Sequence, residues 1–310
     1  MTSLSTLQAP SQSTNVSYGA VRAFYGHHKC ATGWITRIFR EMSFHLGRRH
    51  AIVHLPRHIS PYASLADKVS AESIDVLIYT NAQIHEVQTL PEGSRGFHVV
   101  RDPRDVLVSA YFSHKHSHPS DKWPELEPHR DLLQTLSLED GLAAEMVFSQ
   151  SVFADMQAWD YKQPHVLELH METLTADPDA GFQRIATFLG WLDPEALYSF
   201  AYRVQVRLNR LHYLGHARVP GPYPLLPVPR RPLATLPPDT LAHILEASRF
   251  NRLTGGRSRG EEDVQSHYRK GTPGDWRNHF TPALVDHFKA EWGDLLIQLG
   301  YETDHTWGLI

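Results

Sequence analysis

Short apolar runs alternate with longer amphipathic stretches in the first half of the chain. Four short strands are predicted where apolar and aromatic residues cluster, at 21–26, 51–55, 74–79 and 96–100. Helical patterns lie between and after them, the clearest at 34–46 and 105–116. Because strands alternating with helices are typical of an α/β fold, we expect a central, mainly parallel sheet with helices on both faces.

The second half of the chain continues this pattern. It predicts a long helix at 138–160, a fifth strand at 165–170 and further helices at 179–189 and 239–250. The last helix is the best defined, because Thr281 can cap its N-terminus and apolar residues then share one of its faces.

Two segments do not fit regular elements. Residues 1–18 are polar and rich in Ser, Thr and Gln, and we interpret them as a disordered leader before a single domain at 19–310. Residues 205–238 hold many prolines, which predicts a long structured loop or lid.

Composition limits the class of protein. A chain of 310 residues with 41% apolar side chains can bury a core without covalent staples, and Cys30 as the only cysteine excludes a disulfide scaffold. The net charge of -4 gives no global field for a nucleic acid. No run reaches the ~18–20 apolar residues that span a bilayer, and the leader lacks the apolar block of a signal peptide. We therefore expect a cytoplasmic protein without a transmembrane segment and without a nucleic-acid partner.

A turn between the first strand and the first helix is the first candidate for binding chemistry. Backbone N–H groups at a helix N-terminus attract anions, Lys29 adds a charge, and Thr32 adds a hydroxyl. The Gly-Lys-Ser/Thr sequence of a nucleoside triphosphate loop is absent, which argues against magnesium-bound ATP. By itself the segment is equally consistent with an ordinary strand-to-helix turn.

Two further segments are basic. Arg101 ends the fourth strand and can contact a phosphate through two N–H groups, while Ser109 follows on the next helix with a hydroxyl. Arg269, Lys270 and Gly271 begin a basic turn before the last helix. Each segment alone is compatible with a cap, an ion-pair network or a solvated loop, so only the three together, in this order, indicate a specific site.

The three segments resemble those of the cytosolic-type sulfotransferase family, which uses 3'-phosphoadenosine 5'-phosphosulfate (PAPS) as its sulfuryl donor. The last segment matches the family's C-terminal motif at nearly every position, with Arg277 in place of a lysine. The resemblance runs from about Phe24 to Gly300. It implies a P-loop-like sulfotransferase fold, and transfer of a sulfuryl group to a hydroxyl or amine of a small-molecule, glycan or lipid acceptor. It also implies adenosine 3',5'-bisphosphate (PAP) as product, and no metal.

The resemblance assigns roles to individual residues. Lys29 would contact the 5'-phosphate and the bridging oxygen of the leaving group. Gly33 departs from the family's usual threonine, which removes a hydroxyl donor. The remaining donor contacts, to the phosphosulfate, the 3'-phosphate and the adenine, would come from Cys30, Ala31, Thr32, Gly33, Trp34, Arg101, Ser109, Ser248, Phe250, Arg269, Lys270 and Gly271.

The chain departs from the family at the catalytic base. Asn81 stands where the family has a histidine at the end of the third strand, and an asparagine cannot accept a proton at neutral pH, although it can orient a hydroxyl. We rank His54, at the end of the second strand, first among the replacements, with His85, Glu86 and His28 as alternatives. A structural role stays open for each of them.

Other interpretations stay open as well. The alternating histidines of segment 114–118 could bind zinc, but no cysteine or carboxylate lies near them in sequence, so we favour a solvated loop. The replacement at Asn81 also suits a non-catalytic module that binds the 3'-phosphorylated nucleotide. A nucleotide-dependent kinase is a third possibility, against which the missing Gly-Lys-Ser/Thr sequence counts.

Overall fold

The computed structural model describes residues 20–218 and 230–308, and for 213–218 the backbone alone. Five strands form one sheet: β1 (Arg22–Gly26), β2 (His50–Val53), β3 (Val76–Tyr79), β4 (Arg95–Val100) and β5 (Val166–His170). Their order is β2-β3-β1-β4-β5, and every neighbouring pair is parallel. The strand predictions and the α/β fold class are therefore confirmed.

Helices surround the sheet. They are α1 (Thr32–Leu46), α2 (Leu65–Ala71), α3 (Ile84–Val87), α4 (Pro103–His116), α5 (Leu126–Thr135), α6 (Leu138–Phe148), α7 (Gln150–Ala158), α8 (Met171–Ala176), α9 (Pro178–Phe188), α10 (Phe200–Arg218), α11 (Pro238–Glu246), α12 (Phe250–Leu253) and α13 (Pro282–Gln298). Within the described ranges, no helix combines the length and the apolar content that crossing a membrane requires.

Side chains from successive strand positions pack into separate clusters on the two faces of the sheet. Phe24 of β1 packs on one face with Phe39 of α1 and Phe182 of α9. Its neighbour Tyr25 packs on the opposite face with Trp159. This alternation follows from the period of two along a strand, and it explains why all five strands are apolar.

The long helix predicted at 138–160 is wrong in one respect, because the chain breaks at Ser149 into α6 and α7. The Ser149 hydroxyl donates a hydrogen bond to Glu145 Oε1 at 2.6 Å. Beyond the break, Phe153 packs on Phe288 and Trp292 of α13. The change of direction thus places the apolar face of α7 on the last helix.

The loop predicted at 205–238 is also wrong for its first part, because α10 continues to Arg218. Tyr202 holds the helix against α1, with its Oη 3.1 Å from His45 Nδ1. The buried Asn209 joins the helix to the backbone of Arg231. The prolines of the predicted loop begin only at Pro220, after the end of α10, so they do not interrupt this helix. The predicted leader at 1–18 and residues 219–229 of the predicted lid lie outside the described residues.

Candidate active site

The candidate site lies at the carboxyl edge of the sheet, between β1 and β4. β1 is the central strand of the sheet, with β3 and β2 on one side and β4 and β5 on the other. Open α/β sheets bind ligands in the crevice where the strand order reverses in this way. The loop after β1 contains Lys29, and β4 leads into Arg101, so the first two basic segments meet at this crevice.

The backbone of the loop after β1 is strained. Lys29 (φ 65°) and Ala31 (φ 56°) both adopt the left-handed conformation without being glycine. Ala31 is the N-cap of α1 and offers no side chain to cap it. The first N–H groups of a helix have no partner within the helix, so those of Thr32 and Gly33 are available to an anion. Strain held at such a position is typical of a binding site.

Lys29 is a buried cation. Its residue is only 9% exposed, and its ammonium forms no ion pair or hydrogen bond with the described parts of the chain. Burial, together with the nearby charges of Arg101 and Arg269, lowers the pKa of Lys29 to about 7 against the opposing effect of Glu145. A bound anion would therefore favour the charged form of this lysine.

Arg101 is tied to the same loop. Its Nη1 donates a hydrogen bond to the carbonyl oxygen of Lys29 at 3.2 Å. Its Nε is buried and has no hydrogen-bond partner in the structure as described. Buried polar groups are nearly always paired, so an orphan guanidinium nitrogen next to a buried ammonium indicates an anion site.

The third basic segment packs beside the other two. The guanidinium of Arg269 lies 4.5 Å from the ring centroid of Phe112 on α4, one turn after the half-buried Ser109. Arg269 Nη2 and Lys270 Nζ each lie 2.5 Å from the buried carboxylate of Asp275. Burial raises the pKa of Asp275, but the hydrogen bonds that it accepts outweigh this effect and hold the pKa well below its ordinary range. Asp275 thus holds the two cations in place.

The residues predicted to contact adenine also come together. Trp34 Nε1 donates to the carbonyl oxygen of Ser248 at 2.9 Å, which joins α1 to the segment before α12. Gly271 has φ +72°, and a Cβ at this position would lie 2.6 Å from the ring of Phe250. Ser248, Phe250 and Gly271 are therefore neighbours of the loop, although they lie more than 200 residues after it in the sequence.

Two loop residues differ in their access to a ligand. Cys30 is fully buried in the cluster of α4, α6, α7 and α13, and burial raises the pKa of its thiol to about 12. Its side chain therefore points away from the crevice, and only its backbone can serve a ligand. Gly33 is exposed, and a Cβ there would lie 3.4 Å from His267 Nε2, an ordinary contact.

The residues proposed for proton transfer lie in two places. His54 Nδ1 is 2.6 Å from Thr80 Oγ1, and Asn81 Nδ2 donates to the carbonyl oxygen of His54 at 2.7 Å. Burial, followed by the charges of His58 and Lys122, lowers the pKa of His54. The exposed His85 lies in the first turn of α3. Among the described residues, it forms no hydrogen bond or ring contact with His54 or Asn81.

The solvated loop expected at 114–118 is wrong. Helix α4 continues to His116, and His114 is fully buried, with its Nδ1 3.0 Å from both carboxylate oxygens of the buried Glu145. On its other side His114 Nε2 lies 3.0 Å from His28 Nε2. The carboxylate is 31 positions away in sequence, so spacing alone could not reveal it. The available signals were two consecutive histidines before Lys29 and a glutamate within an apolar helix.

Comparison with known proteins agrees with this geometry. Residues 83–204 match the family model described as the sulfotransferase domain. Compared by sequence with curated proteins, the chain matches none of them. Among solved structures it is similar to a mouse sulfotransferase complexed with PAP, at 15% identity and a TM-score of 0.51, over 91% of this chain and 87% of that one.

A second similar structure is a retinol dehydratase in complex with androsterone and the inactive cofactor PAP, at 14% identity and a TM-score of 0.46, over 89% of this chain and 80% of that one. The domain match covers α3 to the start of α10, including Arg101 and Ser109, and the similarity to the mouse structure extends over most of the chain. Residues 83–204 thus match the sulfotransferase domain, and the fold of the chain is similar to that of a mouse sulfotransferase.

Proposed function

We propose that the protein is an enzyme that transfers the sulfuryl group of PAPS to a hydroxyl or amine of an acceptor and releases PAP. The observation that carries this proposal is the buried residue Lys29, whose ammonium has no partner among the described residues, beside the orphan Nε of Arg101. The mouse sulfotransferase that shares this fold was crystallised with PAP, which supports the same ligand here.

The donor would lie across the crevice with its two phosphate ends on different segments. Lys29, Thr32 and the free N–H groups of α1 would hold the 5'-phosphosulfate. At the other end, Arg101 and Ser109 would hold the 3'-phosphate. Arg269, Lys270 and Gly271 would complete that pocket, while Trp34, Ser248 and Phe250 would enclose the adenine.

The chemistry follows from these charges. Sulfuryl transfer needs an in-line nucleophile, donors around the equatorial oxygens and a stabilised leaving phosphate. Lys29 would stabilise the negative charge that develops on the leaving oxygen. Because it is buried, its charge acts with little screening by water. These are tasks that side chains perform without a metal ion.

The acceptor would enter on the side of the loop where His28 and Trp123 lie, with their ring centroids 5.8 Å apart. Aromatic rings at this position suit a phenol, a sugar or a lipid hydroxyl equally, so the acceptor class is a question for assay. Asn81 would orient the acceptor hydroxyl, and His54 or His85 are the residues to test there as proton acceptors.

The decisive experiment is a transfer assay with labelled PAPS against a panel of phenols, glycans, amines and lipid alcohols. PAP should raise the melting temperature in a concentration-dependent manner, whereas ATP with magnesium should not. Lys29→Met should lower turnover by about 100-fold or more, as loss of a group that stabilises transition-state charge does. The exposed Lys162→Met is the matched control and should behave as wild type.

A second function is favoured by one observation, the asparagine at position 81. Under it the protein binds PAP or PAPS without catalysing transfer. Stabilisation by PAP without turnover of any acceptor would select this module, and hydrolysis of magnesium ATP without a response to PAP would select a kinase instead.

A further inference from the structure

A chain of hydrogen bonds runs from a buried carboxylate to the loop that contains Lys29. Glu145 and His114 are fully buried, and His114 Nδ1 lies 3.0 Å from both oxygens of Glu145. The opposite nitrogen of the same ring, Nε2, lies 3.0 Å from Nε2 of His28. His28 directly precedes Lys29, so the chain ends where the sulfuryl group would be held.

The partners of Glu145 fix the proton positions along this chain. Burial raises the pKa of Glu145, but hydrogen bonds from His114, His129 and Ser149 outweigh this and lower it below its ordinary value. An ionised carboxylate only accepts, so His114 Nδ1 holds a hydrogen. The Nε2 of a neutral His114 is then an acceptor, and His28 must donate to it from Nε2. The lone pair of His28 is left on Nδ1, which bonds to no other described residue.

The geometry of these hydrogen-bonded histidines differs from that of a metal site. The nitrogens of His28, His114 and His118 lie within 4.8 Å of one another, a spacing that a metal ion could use. However, the ring planes of His28 and His114 are nearly parallel at 16°, with centroids 5.1 Å apart and Nε2 atoms only 3.0 Å apart. The two rings thus meet end to end, as in an N–H···N hydrogen bond, whereas metal ligands direct both lone pairs at a third point.

We propose that His28 is the catalytic base of the sulfuryl transfer, positioned by His114 and Glu145; this inference rests on the proposed function. As the acceptor oxygen bonds to sulfur and the sulfur–oxygen bond to PAP breaks, the acceptor proton passes to His28 Nδ1. The proton on His28 Nε2 moves to His114 Nε2. The positive charge then rests on His114 beside the carboxylate of Glu145, which stabilises it in a buried site.

This relay accounts for the replacement at position 81. A base on the loop after β1 makes a histidine at the end of β3 unnecessary, and Asn81 keeps only an orienting role. Burial lowers the pKa of His28 well below its ordinary value, and His114, Lys29, His118 and His267 around it act in the same direction. His28 is therefore neutral and able to accept a proton at pH 7, provided that the relay stabilises the charge formed.

The loop contains a second chain of the same kind, which supplies a matched control. His27 Nε2 lies 2.9 Å from His98 Nε2, and His98 Nδ1 lies 2.6 Å from Glu168 Oε2. His27 is 1% exposed, however, so this chain ends in the core and reaches no ligand. A change at Glu168 should lower stability and leave the pH dependence of turnover unaltered.

The test compares kcat against pH, at saturating PAPS and acceptor, for wild type, His28→Gln, Glu145→Gln and Glu168→Gln. We expect His28→Gln to lower kcat by about 100-fold or more while PAP still stabilises the protein. Glu145→Gln should lower kcat and move its acidic limb to lower pH, because the protonated relay loses its counter-charge. Glu168→Gln should retain the wild-type profile. Full activity of His28→Gln, or its loss only in His54→Gln, would overturn the assignment.

A second measurement does not depend on turnover. Nitrogen NMR of the wild-type histidines should show a hydrogen on His114 Nδ1 and none on His28 Nδ1. A different pair of tautomers, or one bound zinc per chain in protein prepared with zinc alone, would contradict the relay. By contrast, correct tautomers in a protein that turns over no acceptor would reject the proposed function and leave the hydrogen-bonded chain standing.

Discussion

Arg101 donates a hydrogen bond from Nη1 to the carbonyl oxygen of Lys29, the residue whose own ammonium lies buried without a partner. Two cationic residues from the segments that follow β1 and β4 are thus fixed in one crevice before any ligand binds. The desolvated ammonium destabilises the free protein, since the carboxylate of Glu145 offsets only part of the cost of its burial. An anion that binds both residues removes this cost, so stability and donor binding should be coupled at this position.

The first prediction concerns Lys29→Met in the absence of ligand. The pKa of Lys29 is about 7 in the folded chain, against an ordinary 10.5. Between these two pH values the unfolded chain binds more protons, so wild-type stability rises with pH, and below pH 7 the full cost is present. Because one pKa unit corresponds to about 1.4 kcal/mol, the variant should be more stable than wild type by a few kcal/mol at pH 6.

Urea unfolding of both proteins at pH 6 and pH 9 measures this difference, which should be smaller at pH 9. Saturating PAP should make wild type the more stable of the two proteins, because it binds wild type more tightly than the variant. An equal effect of the substitution at both pH values would mean that Lys29 is not held in a low-pKa state.

The second prediction concerns Asp275→Asn. The Asp275 carboxylate accepts from Arg269, Lys270, Asn278 and His279. Removal of one partner of a buried ionic network costs about 3–5 kcal/mol, so the variant should be destabilised by about that amount at pH 7. Because the folded pKa of Asp275 is depressed, its contribution is present above its ordinary pKa and is lost as the pH falls further.

Denaturant titrations at pH 7 and pH 3 should therefore show a smaller difference between this variant and wild type at the lower pH. PAP affinity should also fall, since Arg269 and Lys270 lose the group that orients them. The neighbouring Glu262→Gln, which removes one exposed partner of Arg269, should cost little, as surface ion pairs do. A loss of stability as large as that of Asp275→Asn would contradict this account.

The sequence predicts the sheet well because each strand is a mainly apolar run, as expected for a parallel sheet with helices on both faces. Prediction from the sequence fails where contacts with residues that are distant in the sequence determine the secondary structure. The helix break at Ser149 depends on the buried Glu145, and the persistence of α10 past residue 205 depends on its packing against α1. The basic segments could be identified from their residues. The role of His114 could not, because its partners Glu145 and His28 are distant in the sequence and meet it only in the folded structure.

The third prediction concerns Cys30. Its thiol is fully buried and burial raises its pKa to about 12, so it should not form a thiolate at neutral pH. A thiol reagent should therefore react slowly with native protein, at the same rate with and without PAP, and rapidly after unfolding in urea. Fast native labelling that PAP blocks would instead place the sulfur in the ligand crevice.

The fourth prediction concerns Gly33→Thr, a substitution that adds a hydroxyl at the N-terminus of α1. Gly33 is exposed at the N-terminus of α1 without a positive φ, and a Cβ there makes only an ordinary contact with His267. Gly33→Thr should therefore fold normally and offer a hydroxyl to the phosphosulfate. One hydrogen bond worth about 1 kcal/mol would tighten PAP binding about fivefold, measured by calorimetry. Gly33→Ala is the control, because it stabilises the helix without adding a donor. If alanine and threonine change the affinity equally, the gain comes from the backbone, and the phosphosulfate lies elsewhere than over this turn.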